Sequence, residues 1–209
     1  MSEEQRKPWK IPRLWPGSTV YIIGGGPSLR DMDLAPLRNK RVIGVNQAFR
    51  NYPWVDLSYF GDCQFRGLAP IDEWPGLKIT SCARVPPLGK GWPGIRRVGR
   101  SKSYGIETKK EGFIAWNGNS GGSAINIAYW LGAVRVVLLG FDMQRLDIGH
   151  NWHDYYPARD DKFDPYKNHM RCWPFIANDA KIVGLEIINA TPGSAITSFK
   201  YKPLEQVLK

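Results

Sequence analysis

The stretch Thr19-Val20-Tyr21-Ile22-Ile23-Gly24-Gly25-Gly26-Pro27-Ser28-Leu29 decides the fold of this chain. Apolar and β-branched residues run into three consecutive glycines, the pattern of a buried strand breaking into a tight turn. With no Cβ atoms the turn is free to take positive φ, and its N–H groups can approach a phosphate closely. Pro27 and Ser28 suit the start of a helix after the turn. Leu29 stands where G-x-G-x-x-G places its last glycine, so the pattern is not that of a dinucleotide site. A strand-to-helix turn with no ligand would use the same residues.

Comparable short apolar runs recur outward from this one, at 41–45, 55–60, 77–82, 134–139 and 185–189. Most are nearly continuous rather than alternating, as in strands covered on both faces, so they predict a largely parallel sheet. The clearest helix is predicted over 121–131, where Ala124, Ile127, Ala128 and Leu131 form a stripe. A second is predicted over 173–183, with Pro174 tolerated in its first turn. The expected fold is α/β and Rossmann-like, a mostly parallel sheet flanked by helices on both faces, with a small lid segment at about 143–168. Residues 17–209 are expected to form one nucleotide-binding catalytic domain, residues 1–16 a loosely held arm, and residues 70–94 an irregular stretch.

A chain of 209 residues is long enough for one domain with a substantial core. No apolar run approaches the roughly 20 residues needed to cross a bilayer. The segment from Met1 to Pro8 lacks the apolar stretch of a secretory signal, and a cytoplasmic location is expected. Cys63, Cys82 and Cys172 are odd in number and far apart, with no C-x-x-C pair, which argues against a disulfide framework and against a cysteine zinc site. Buried thiols are expected instead. A formal net charge of +10 favours polyanionic partners such as nucleic acid, phosphorylated glycolipid or nucleotide. Arg96, Arg97, Arg100, Lys102, Lys109 and Lys110 crowd one segment against the single acid Glu107; a solvated basic loop explains this as readily as a phosphate grip.

Two further segments carry chemistry. Asn117-Gly118-Asn119-Ser120-Gly121-Gly122-Ser123-Ala124 precedes the clear helix. Free N–H groups in a first helical turn, with the Ser120 and Ser123 hydroxyls, make an anion seat; Asn119 or Ser120 also suits a plain N-cap. Asp142 follows the strand predicted at 134–139, and Arg145, Asp147, His150, His153, Asp154, Tyr155 and Tyr156 come after it. Such a segment holds what acid–base work and phosphate contact require, and an exposed polar loop is the alternative. His150 and His153 offer a metal pair with Asp142, Asp147 or Asp154, but no established metal-site signature is present, and no metal site is expected. His169 stands alone ahead of the last long helix.

Five motifs, Ile22-Ile23-Gly24-Gly25-Gly26-Pro27-Ser28-Leu29, Val45-Asn46-Gln47-Ala48-Phe49, Asn119-Ser120-Gly121-Gly122-Ser123, Val137-Leu138-Leu139-Gly140-Phe141-Asp142 and Asn189-Ala190-Thr191-Pro192-Gly193-Ser194, occur together and in order. In this the chain resembles the bacterial lipooligosaccharide sialyltransferases of glycosyltransferase family 42, and the related family of motility-accessory factors and 6-hydroxymethyl-dihydropterin pyrophosphokinase. It also looks like compact phage-encoded proteins of the same pattern. The resemblance spans about 19–199. It implies that Gly24, Gly25, Gly26, Ser28, Asn46, Ser120 and Gly121 hold CMP, with Asp62 as the polar residue at the third strand's end. It further implies lid tyrosines at the donor phosphate, where Tyr155 and Tyr156 are similar in place, and a histidine base at His169, with His153 as competitor. Gly25 departs from the family's asparagine.

The expected activity is metal-independent glycosyl transfer from a nucleotide-activated, CMP-linked sugar, with Asp142 orienting or binding and Arg145 at the departing phosphate. The acceptor would be a glycan or modified DNA. Two alternatives stand beside it: Mg²⁺-dependent pyrophosphokinase-type transfer on the same fold, using Asp62, Asp142, Asp147 and Asp154, and a DNA-directed glycosyltransferase or nucleic-acid binder. No obligatory cofactor is expected beyond the nucleotide-sugar co-substrate, with Mg²⁺ entering only in the first alternative.

Overall fold

The run at 19–23 forms the strand β1 (Thr19–Ile23), from which a sheet spreads both ways. This is seen in a computed structural model that describes residues 7–63, 65, 70–84, 94–146, 151–155 and 164–209. On one side lie β2 (Arg41–Val45), β3 (Leu57–Phe60), β4 (Leu77–Thr80) and β5 (Ile95–Arg97). A small pair, β6 (Gly99–Arg100) with β7 (Phe113–Ile114), stands apart from the main sheet. The chain then crosses to the other side of β1 as β8 (Arg135–Leu139), continuing to β9 (Glu186–Asn189) and β10 (Lys200–Tyr201). The spatial order is β10-β9-β8-β1-β2-β3-β4-β5, and every pairing is parallel.

Both faces of this sheet are buried, which is why its strands read as unbroken apolar runs. Val20 and Ile22 of β1 join one core together with α2 (Ser120–Leu131), while Tyr21 and Ile23 join a second core on the opposite face. The first core also holds Trp173, Ile176 and Ala180 of α4 (Trp173–Val183). The second holds Ala48 and Phe49 of a short helix, α1 (Ala48–Asn51), and Leu204 of α5 (Leu204–Val207). One further turn, α3 (Tyr166–His169), leads into α4. The topology reverses between β1 and β8, and open α/β sheets bind ligands outside the carboxyl ends of their strands at such a point.

Three expectations need correction. Residues 7–16 are not loosely held: Ile11 and Trp15 are buried, and the amides of Trp9 and Trp15 each donate over 2.7 Å, to the carbonyls of Arg97 and Leu131. Cys63 and Cys82 are joined in a disulfide, with Cα atoms 5.1 Å apart. They follow β3 and β4, neighbouring parallel strands whose ends meet in space although 19 residues separate the cysteines in sequence. On a chain-entropy view a cross-link of that span contributes about 3 kcal/mol. Cys172 alone stays a buried thiol, its pKa pushed up to about 12 by burial. The third correction concerns the glycine turn itself.

Candidate functional site

None of Gly24, Gly25 and Gly26 takes positive φ; Gly26 is extended, at φ −74° and ψ 149°. The turn needs glycine for close approach. Its backbone lies along the segment leaving β8, with Gly24 N donating to Leu139 O and Gly26 N to Gly140 O, both at 2.8 Å. A Cβ on Gly24 would stand 2.6 Å from the Gly140 oxygen, and one on Gly26 would fall inside the Asp142 carboxylate. That carboxylate, buried at 2 % exposure, accepts from Ser28 N at 3.1 Å and from Ser28 Oγ at 2.8 Å. Burial raises the Asp142 pKa and the Ser28 bonds oppose the rise. Asp142 therefore staples β8 to the first turn of the 3-10 helix Pro27–Asp31 that follows the glycines. Leu29, out of place in a dinucleotide fingerprint, packs on Gly140 where a Cβ would be 2.6 Å from its Cγ. The one roomy glycine is Gly25, whose Cβ would meet nothing nearer than Asn151 Oδ1 at 3.4 Å.

The second glycine junction lies against the first. A Cβ on Gly24 would be 3.1 Å from Phe141 Cε2, and one on Gly121 would be 2.5 Å from Cε1 of the same ring. Asn119 caps α2, its Oδ1 accepting from Gly122 N at 2.7 Å, while its Nδ2 donates to the His169 carbonyl at 3.3 Å. Ser120 Oγ accepts from Gly61 N at 3.2 Å, tying the end of β3 to the start of α2. Beside them Asn46, at the end of β2, sits at φ 54° with its amide on the Tyr59 carbonyl. Its Oδ1 is buried and makes no hydrogen bond among the described residues. A buried amide oxygen without a hydrogen bond carries a cost. Asp62 is exposed just past β3. Gly24, Gly25, Gly26, Asn46, Asp62, Ser120, Gly121 and His169 thus gather at the carboxyl end of the sheet.

The segment after Asp142 goes elsewhere. Trp152 N and Nε1 donate to the carbonyls of Gly25 and Gly24, at 3.2 and 3.4 Å. Arg30 Nη2 donates to the Asn151 carbonyl at 3.1 Å. The Tyr155 hydroxyl bonds Asn51 Oδ1, and the Arg50 guanidinium lies 3.6 Å over the Tyr155 ring. Residues 151–155 are therefore strapped across the glycine turn onto α1. Arg145 is exposed; Tyr156, His150 and Asp147 lie outside the described residues. His153 is buried and stacked on Tyr155, and its Nδ1 accepts from Tyr155 N at 3.2 Å, which leaves the proton of the neutral ring on Nε2. Its pKa is lowered to about 4, first by burial and then by the Arg50 charge, against a smaller opposing pull from Asp154.

A pH dependence follows from that shift. An unfolded histidine binds its proton near pH 6.5 and this one near 4, so the strap's contribution to stability is present above 6.5 and is lost as pH falls toward 4. Between those values the melting temperature of the native protein is expected to fall more than that of His153→Leu. Parallel curves for the two would show that His153 does not couple the strap to pH.

Among the described residues no group of three or more His, Cys, Asp or Glu side chains is placed to hold a metal ion, and no helix is long and apolar enough to cross a membrane. Sequence reasoning passed over Gly61, Trp116 and Asn119's link to His169. Trp116, immediately before the second glycine junction, was the available signal. Arg100 was visible only as one basic residue among six.

The two glycine junctions meet at the switch point of a parallel α/β sheet, the place where open sheets of this kind bind their ligands. Among solved structures the chain is similar to the sialyltransferase CstII from Campylobacter jejuni in complex with cytidine-5'-monophosphate: 14 % identity, 90 % of this chain and 85 % of that one covered, TM-score 0.54. The same enzyme with CMP-3FNeuAc matches at 13 % identity, 88 % and 85 % coverage and a TM-score of 0.51. These likenesses establish a shared fold. No protein-family model and no curated protein sequence matches the chain.

Proposed function

We propose that this protein is a glycosyltransferase that takes its sugar from a CMP-linked donor. The observation that carries the reading is the meeting of the two glycine junctions on Phe141, beside the unpaired Asn46 oxygen, on the fold of an enzyme solved with CMP and a CMP-sugar analogue. In this reading the nucleoside lies between Gly25 and Asn46, whose Oδ1 accepts from it. The N–H groups of Ser120 and Gly121, at the positive end of α2, face the departing phosphate. His169, held beside them through its carbonyl, removes the acceptor's proton as general base. Asp142 and Ser28 shape the turn. Tyr155 and His153 belong to the strap that closes over it.

The test is a melting-temperature panel with CMP, UDP, GDP, ADP and ATP, each with and without Mg²⁺. At 100 times its Kd a ligand of the native state adds about 2.7 kcal/mol, which for a chain of this size is a rise of about 5–10 °C. CMP is expected to give that rise in the presence of EDTA. A response confined to ATP with Mg²⁺ would replace glycosyl transfer by phosphoryl transfer, and no response to any nucleotide would end the nucleotide reading.

A further inference from the structure

Arg100 is an unusual arginine. Its guanidinium lies flat on the Trp116 ring, 3.4 Å from the centroid. Nη2 donates to the Gly61 carbonyl at 2.7 Å, and Nε donates to Ser81 Oγ at 3.3 Å. Ser81 is itself held at 2.8 Å by the hydroxyl of Tyr59, a fully buried side chain whose pKa burial pushes up to about 12. One face of the guanidinium and its Nε and Nη2 donors are therefore held by protein, and among the described residues Nη1 is given no acceptor. No carboxylate comes within ion-pair reach of it among the described residues; Asp62 acts on it from farther away.

Its position supplies the missing partner. Gly61, which accepts from Arg100 through its carbonyl, donates its own N–H to Ser120 Oγ. A Cβ on Gly61 would be 2.6 Å from Trp116 Cζ3 and 3.1 Å from Ser120 Oγ, so ring, glycine and serine are in direct contact. Arg100 thus stands one residue away from the α2 junction to which the donor is assigned above. A guanidinium with no carboxylate in ion-pair reach among the described residues, held by one ring and two hydrogen bonds, meets an oxyanion with less further loss of side-chain entropy than a free one. The Cys63–Cys82 disulfide ties the two strand ends that carry Gly61 and Ser81, holding both anchors of the arginine in register.

We infer that Arg100 is a donor-binding residue that reads an oxyanion of the nucleotide sugar, either the nucleotide phosphate or a carboxylate on the transferred sugar. The inference rests on the CMP-donor reading and adds to it a residue that sets which donors bind. It extends the basic segment from a general surface charge to one aimed side chain.

The test titrates cytidine, CMP and CMP-3FNeuAc into the native protein, Arg100→Gln and Arg100→Lys, with ligand-free melting curves showing that each variant is folded. Losing a charged hydrogen-bonding partner should weaken an anionic ligand about 10- to 100-fold in Arg100→Gln. Arg100→Lys, which keeps charge but loses the fork and the flat stack, should recover only part of that loss. Cytidine affinity should not change. Equal weakening of CMP and CMP-3FNeuAc assigns the phosphate, and weakening of CMP-3FNeuAc alone assigns the sugar carboxylate. If all three ligands bind Arg100→Gln as they bind the native protein, or if cytidine weakens equally, the inference is overturned while the donor site stands. Failure of the native protein to bind CMP at all would overturn both.

Discussion

Gly26→Ala is expected to cost about 3 kcal/mol of folding stability, the upper range for an overpacked site, and to abolish measurable CMP binding. The added methyl would fall inside the Asp142 carboxylate and stand 2.7 Å from the Gly140 oxygen. The first obstacle is the group that holds Ser28, and the second is backbone hydrogen-bonded to Gly26 itself. Neither can retreat without parting β1's exit from β8's. Shortening Asp142 would clear only one of the two clashes, so the double variant Gly26→Ala, Asp142→Ala should remain impaired. The internal control is Gly25→Ala, one residue away in sequence: φ is not positive there, the nearest atom is 3.4 Å off, and stability should stay within about 0.5 kcal/mol of native. Urea melts and CMP titrations on these variants measure both effects. Equal loss of stability in Gly25→Ala and Gly26→Ala would mean that the turn does not lie against Asp142 as described.

That contrast marks where sequence reasoning stopped. Three glycines in a row announce a tight turn, but only the neighbouring segments reveal that Gly24 and Gly26 yield space to the chain leaving β8 and that Gly25 faces Asn151 of the strap at ordinary contact distance. The central strands were legible because both their faces are buried: the run at 41–45 is β2 to the residue, and α4 spans the predicted 173–183. The edges were not. Ile95-Arg96-Arg97 and Lys200-Tyr201 have too little apolar character to stand out, and they are strands because β4 and β9 offer them a free backbone edge. The Cys63–Cys82 pair was illegible for a related reason, since pairing depends on which strands are neighbours and not on spacing along the chain. Of the candidate site residues, the glycines and the Asn119-Ser120-Gly121 junction could be found from local pattern. Asn46 needed a family resemblance to be noticed and a structure to show its unpaired oxygen. Arg100 was hidden in a basic run whose members sequence alone treats alike, and what distinguishes it is the Trp116 ring beneath it.

The two histidines offered as the base should now separate by experiment. His169→Ala is expected to lower turnover with a CMP-linked donor by about 10²–10⁴-fold, the loss typical of a positioned base. Alanine keeps the backbone carbonyl that receives Asn119 Nδ2 and suits α3, and gives up the edge contact of the ring with Tyr166. Fold, nucleotide binding and donor KM should therefore be preserved while kcat collapses. Added imidazole should restore part of the rate. His153→Ala should behave in the opposite way. Its Nδ1 is committed to Tyr155 N, and its pKa near 4 makes it a poor proton acceptor. Removing the ring loosens the strap across Gly24 and Gly25, which raises donor KM more than it lowers kcat. If His169→Ala turns over at the native rate, or if His153→Ala is the variant that imidazole rescues, the base lies in the strap and not beside Asn119.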